Sequence, residues 1–288
     1  MVIRFPAHAG TFYTGSSNKL REQVDYCFKH ELGPGRTPIV SRKNCNDVIS
    51  LICPHAGFIY SGPIAAHAYG KLAKDGKPNT VVIIGPNHTG YGSGVSIATS
   101  DVWRMPLGDV EIDSELAYQI CENSEYVDLD DLGHRFEHSV EVQLPFLQYL
   151  YDGDFKLIPI SMMMQDIEVS RDLGSAVAKS ILGKNVIMIA STDLTHYQNS
   201  TYAWRNDKKI IDAILGLDEN AVYNNVREYN ISMCGYGPVS AVLIASKLLE
   251  ASNAELLKYA TSGDVTGDHS HVVGYASFSI TRNTLNLN

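Results

Sequence analysis

Two histidines and a cysteine stand where residues of their type can do chemistry. His55 lies in Pro54-His55-Ala56-Gly57, His88 in Gly85-Pro86-Asn87-His88, and Cys234 in Met233-Cys234-Gly235. Each histidine follows a short apolar run that reads as a buried strand. Each imidazole therefore falls just past a strand end, where open parallel sheets assemble their sites. Two imidazoles and a thiolate suffice to hold a transition metal. Pro54 stiffens the first strand exit through its fixed φ, and Ala56-Gly57 leave space for other groups to approach. Cys234 stands directly before a helical pattern that begins near Pro238, a setting expected to expose the thiol and lower its pKa toward thiolate.

A third strand exit, Ser191-Thr192-Asp193-Leu194-Thr195-His196, adds a carboxylate and an imidazole three residues apart. That spacing is read as an acid–base histidine, His196, oriented by Asp193; the competing reading is an Asp or Thr N-cap. Glu137-His138-Ser139-Val140-Glu141 reads as the opening of a helix. Glu137 and Glu141 would then share one face, His138 would meet Glu141 at i, i+3, and this end would point into the same pocket. The macrodipole alone also favours acidic residues in a first turn. Asp264 is a further pocket candidate, whereas His269-Ser270-His271 reads as a polar turn. His67, between alanines, and Met162–Met164 read as packing. Tyr60, Tyr91, Phe58 and Trp103 either line the pocket or pack nearby.

The elements that must position these groups alternate. Val48–Cys53, Thr80–Gly85, Phe155–Ser161, Asn185–Ser191, Glu255–Thr261 and Val272–Ile280 carry strand patterns. Ser17–His30, Asp113–Asn123, His138–Tyr149, Val169–Leu182, Tyr202–Leu215 and Pro238–Ala251 carry helical ones. Between the first two strands, Pro63–Leu72 reads as a helix opened by proline in its first turn, which makes a βαβ unit with His55 and His88 at neighbouring strand ends. Thr89–Gly108 is Gly-rich and has room for a short strand pair. The expected fold class is α/β, a mostly parallel central sheet flanked by helices on both faces. No linker or repeat divides the 288 residues, so one domain over 1–288 is expected.

Composition narrows the partners. The formal charge of −9 and the lack of a Lys/Arg cluster argue against nucleic acid or an anionic membrane. No apolar run is long enough to span a bilayer, and the first residues lack the apolar core of a secretory signal. The five cysteines are scattered, without a C-x-x-C pair, as expected of reduced thiols in a cytoplasmic protein.

Taken in order, Pro-His-Ala-Gly, Gly-Pro-Asn-His, Glu-His-Ser-x-Glu, Ser-Thr-Asp-Leu-x-His and Cys-Gly resemble the Memo family. So do the opening Pro6-Ala7-His8-Ala9-Gly10-Thr11-Phe12-Tyr13 and the closing Gly263-Asp264-Val265 and Val273-Gly274-Tyr275. The resemblance spans essentially the whole chain. It implies a fold similar to that of the class III extradiol (LigB-type) dioxygenases, with His55 and His88 at the two histidine-ligand positions and Cys234 where those enzymes carry a glutamate. His196 would match their acid–base histidine, with Asp193 and the Glu137–Glu141 segment lining the pocket. Exchanging carboxylate for thiolate softens the donor set and moves preference toward copper or zinc without excluding iron. It also introduces a ligand that oxygen can oxidise, so ring cleavage is not carried over.

The first reading is thus a metal-dependent redox protein, holding one transition-metal ion (iron or copper, with zinc as a third candidate) and acting on a small molecule. A second is a thiol hydrolase or transferase with Cys234 as nucleophile and His196 as base. A third is a non-catalytic module that captures peptide segments in the same pocket.

Overall fold

The computed structural model describes residues 1–282. The strands are β1 (Ile3–Arg4), β2 (Val48–Cys53), β3 (Thr80–Pro86), β4 (Val95–Ile97), β5 (Val102–Met105), β6 (Gly108–Ile112), β7 (Val127–Leu129), β8 (Lys156–Met162), β9 (Val186–Ser191), β10 (His196–Gln198), β11 (Asn253–Thr261) and β12 (Val272–Thr281). They form one sheet in the order β1-β5-β6-β8-β3-β9-β2-β12-β10, with β11 on β12 and β4 joining β7 to β8. The middle, β6-β8-β3-β9-β2, is parallel. Antiparallel strands extend it on both sides, the β5–β6 hairpin on one and β12 with β10 and β11 on the other.

Every residue of β2 and β3 is buried, as their largely apolar runs require of strands covered on both faces. Alternation then assigns the faces. Val81 and Ile83 pack with the helices Ser17–Lys29, Phe58–Asp75 and Leu144–Tyr151. Val82 and Ile84 pack with Ser114–Glu122, Ile167–Ile181, Ser200–Leu215, Glu219–Glu228 and Tyr236–Leu248. The expected mixed α/β architecture is therefore present: a central sheet with helices on both faces.

Three local expectations are corrected. β2 and β3 are not neighbours, because β9 lies between them, with Cys53 beside Ser191 and Ile84 beside Ala190. Strand order depends on how distant segments pair, which a local pattern does not encode. The crossover helix runs Phe58–Asp75, with Pro63 inside it rather than at its start. Pro63 cannot donate to the carbonyl of Ile59, a residue on the exposed side of the helix. The helix expected from His138 begins only as a short 3₁₀ turn at Glu141–Gln143, followed by Leu144–Tyr151. Ahead of it, the Glu137 carboxylate accepts the backbone N–H groups of His138 and Ser139, both at 2.9 Å. Such local side-chain bonds compete with helix formation. The Glu219–Glu228 helix and strands β1, β7 and β10 carry no pattern that singled them out in the sequence.

Candidate metal centre

The carboxyl ends of β2, β3 and β9 supply the histidines and Asp193, and the loop before the Tyr236–Leu248 helix supplies Cys234. One ligand atom each of His55, His88 and Cys234 lies within 4.8 Å of the others. Cys234 Sγ is 3.2 Å from His55 Nε2. The His55 and His88 rings meet edge to face with centroids 5.3 Å apart. Cys234 reaches this point because its loop lies flat on the end of β9. A Cβ at Gly235 would sit 2.5 Å from the Ser191 carbonyl oxygen, so only glycine allows that approach. Gly85 does the same for β3, where a Cβ would meet Ser139 Oγ at 2.4 Å.

Each histidine is held from behind. His55 is buried, and its Nδ1 is 2.9 Å from Ser191 Oγ. Burial first, then the charges of His138, His88 and His196, push its pKa far below the usual imidazole range, so the ring is neutral. His88 Nδ1 donates to Glu137 Oε1 at 2.9 Å, and the His88 amide donates to Glu137 Oε2 at 2.5 Å. Burial alone would raise the Glu137 pKa, but the His88 hydrogen bond and the His88 and His138 charges outweigh it and hold the carboxyl at about 2. Glu137 is thus an ionised acceptor that occupies His88 Nδ1, which makes Nε2 the ring nitrogen available to a ligand. A carboxylate behind a ligating imidazole is a recurring second support in metal sites.

His138 stacks on His88 with centroids 4.6 Å apart and stands edge-on to His55 at 5.2 Å. Burial drives its pKa down to about 4, with Glu137 opposing and His88 adding to the fall. His88, Glu137 and His138 form a second group with metal-compatible spacing. There, however, Glu137 is already engaged by N–H donors, whereas the Cys234 group leaves His55 Nε2 facing the sulfur.

Asp193 and His196 are not a hydrogen-bonded pair, which corrects the expected orientation of one by the other. Asp193 is buried and accepts the His55 amide at 2.8 Å. Burial raises its pKa, against the His55 N–H bond, the charges of His196 and His88, and the Ala56 N–H bond. His196 is oriented instead by Ser232, whose carbonyl accepts Nδ1–H at 2.8 Å and whose hydroxyl accepts the His196 amide at 2.7 Å. The half-buried His196 therefore keeps Nε2 as its basic atom.

The expected low-pKa thiolate at Cys234 is also corrected. Burial and the neighbouring Asp193 push the thiol strongly upward. The sulfur accepts the Asp193 amide at 3.2 Å. Without a cation beside it, this sulfur keeps its proton.

Glu141 leaves the pocket altogether. It pairs with Arg4 Nη1 at 2.6 Å and accepts the Tyr13 hydroxyl at 2.6 Å and the Ala7 and His8 amides at 2.8 and 2.9 Å. Since residues 137–140 are not helical, Glu137 and Glu141 do not share a face. Glu141 ties down the amino-terminal segment, which in turn lays His8 and Phe12 against His138 at 5.4 and 4.5 Å. Asp264 is exposed, and its carboxylate is spent on the Thr261 amide and hydroxyl, 2.7 and 2.9 Å away. Phe58 and Trp103 are core residues, while Tyr60 and Tyr91 are exposed. His67 bonds the Leu32 carbonyl, consistent with packing. Gln143 and Ser139 matter to the site but carried no signal in the sequence, being ordinary polar residues inside a helical pattern. A cavity of about 970 Å³ opens at the opposite end of the sheet, beside Thr80, Lys156 and Val186, and is unconnected with this centre.

The anchor around Arg4 has a pH signature. His134 is buried, its Nε2 donates to the Ser96 carbonyl at 2.9 Å, and its own carbonyl accepts Arg4 Nε at 3.0 Å. Burial pushes its pKa down to about 4. The unfolded chain then binds a proton at His134 that the folded chain refuses, so stability present above pH 6.5 is lost as pH falls toward 4, by up to about 3 kcal/mol. Denaturant titrations at pH 7 and pH 5 should show this loss, and His134→Gln should flatten the slope. An unchanged slope in that variant assigns the acid sensitivity elsewhere.

A family model described as Memo-like protein matches residues 4–279. A MEMO1 family protein of Methanothermobacter thermautotrophicus is 51% identical over 280 residues, covering 96% of this chain and 100% of that one. Another, from Methanopyrus kandleri, is 48% identical over 281 residues, covering 97% and 99%. The crystal structure of uncharacterized protein JW3007 from Escherichia coli K12 superposes with a TM-score of 0.57 at 13% identity, over 81% of this chain and 99% of that chain, a likeness of fold alone. An end-to-end match at this identity, together with the family model, makes this chain a member of the Memo-like family.

Proposed function

We propose that this is a cytoplasmic metal-dependent redox protein. His55, His88 and Cys234 hold one transition-metal ion, iron or copper, with zinc as the redox-silent competitor. The observation that carries the reading is the convergence of the three ligand atoms within 4.8 Å, with the two imidazoles neutral or backed by a carboxylate. When bound, such an ion supplies electron transfer and polarisation of a coordinated small molecule. The chain's own residues do the rest. His196 Nε2 accepts and returns a proton for the bound molecule, and Asp193 beside it is a carboxyl whose raised pKa suits proton exchange. Burial of His55 and Asp193 keeps water from competing for these groups.

The thiol hydrolase reading is disfavoured by the same structure, because a nucleophilic cysteine needs a depressed pKa and Cys234 has the opposite. Metal analysis of protein purified anaerobically without chelator tests the proposal. Wild type should carry close to one equivalent, and His55→Ala and Cys234→Ser little. Equal metal in all three ends the ligand assignment. A turnover screen with small-molecule reductants and thiols, alongside peptide-binding assays on the same samples, then separates a catalytic pocket from one that captures peptides.

A further inference from the structure

Which nitrogen of His55 faces the centre follows from counting protons along a buried chain of side chains. The Pro54 carbonyl can only accept, so the Gln143 side-chain atom 3.0 Å away is the amide nitrogen. The same nitrogen lies 2.8 Å from Ser191 Oγ, and the amide oxygen accepts the Tyr69 hydroxyl at 2.6 Å. Ser191 has a single hydrogen, and it points to the Ser139 carbonyl at 2.6 Å, which also can only accept. What remains on Ser191 Oγ is acceptor capacity, shared between the Gln143 amide and His55 Nδ1 at 2.9 Å. His55 Nδ1 must therefore bring the hydrogen. Ser139, Gln143, Ser191 and His55 are all at most 2% exposed, so no bulk water offers a different partner.

We infer that Ser191 and Gln143 are positioning residues that lock His55 in the Nδ1–H tautomer and present its Nε2 lone pair toward Cys234, 3.2 Å away. The role of that lone pair as a metal ligand rests on the reading proposed above; the tautomer does not. The two histidines are held by different means. His88 has an ionised carboxylate behind it, whereas His55 has a neutral hydroxyl oriented by an amide. A carboxylate is the stronger of the two kinds of support behind a ligating imidazole. A second carboxylate behind His55 would instead have added charge beside buried Asp193.

The test is made on metal-free full-length protein with ¹⁵N-labelled histidine, by long-range proton–nitrogen correlation. Wild-type His55 should show a protonated Nδ1 and a bare Nε2, unchanged from pH 6 to 8. An Nε2–H signal, an averaged pair or an imidazolium overturns the inference, whatever the variants do. Ser191→Ala removes the acceptor and should give mixed tautomers and a 10–100-fold weaker zinc or copper(I) affinity. Ser191→Thr, which restores the hydroxyl, should recover both. A pure Nδ1–H signal and unaltered affinity in Ser191→Ala also overturn it. If wild type shows the expected tautomer but takes up neither ion, the metal reading falls while the lock on His55 stands.

Discussion

Replacing Glu141 by alanine should destabilise the protein by about 3–5 kcal/mol, the cost of leaving a buried charge without its partner. Arg4 has 8% of its side chain exposed and Glu141 none, and their contact is 2.6 Å. The guanidinium also donates to the His134 and Glu137 carbonyls, both at 3.0 Å, and lies 4.1 Å from the Trp103 ring centre. Those carbonyls and that ring hold the guanidinium in place after the carboxylate is gone. The substitution further strips acceptors from the Tyr13 hydroxyl and the Ala7 and His8 amides. Equilibrium denaturation should read the loss, and hydrogen exchange should rise first at Ala7 and His8. Glu141→Gln keeps one oxygen acceptor but sets an NH2 against the donors of the other, so it too should destabilise while still binding metal, which separates an anchor from a pocket residue. A cost below about 1 kcal/mol for the alanine variant would show that the anchor contributes no more than an exposed pair.

Cys234→Ser should weaken affinity for copper(I) or zinc by more than about 100-fold, beyond what loss of an outer support causes. A serine hydroxyl stays protonated where a thiol near a cation ionises, so the substitution removes a ligand and not merely a soft atom. The folded frame should tolerate it, because the sulfur's neighbours, the Asp193 amide and carbonyl, the Thr192 hydroxyl and His55 Nε2, are all able to bond a hydroxyl. Competition titration against a chromophoric chelator measures the change. Since the ligand must be thiolate, uptake by wild type should release about one proton, detectable in weakly buffered solution, and the serine variant should release none. Bound metal should also protect Cys234 from alkylation. Fast alkylation indifferent to metal would instead restore the nucleophile reading.

How much of this was legible beforehand varies by residue. The apolar runs before His55, His88 and Asp193 identify strand ends because a strand buried on both faces is predominantly apolar, and that property is local. Donor chemistry is also local, so imidazole, thiol and carboxylate were visible as types. Partners were not. Glu137 and Glu141 are four residues apart and both acidic, yet one backs His88 and the other anchors Arg4, 137 residues distant in the chain. Asp193 and His196 look like a pair and bond elsewhere, to His55 and Ser232.

By itself, then, the sequence determined the alternation of elements, the strand exits and the kinds of atoms available there, since these follow from side-chain size, polarity and period. Only the tertiary structure decided that β9 separates β2 from β3, that the Cys234 loop closes onto β9 through Gly235, and which proton each imidazole carries. Strand order, close approach and hydrogen-bond direction are properties of pairs far apart in the chain. Their energies exist only once burial has removed water as the alternative partner.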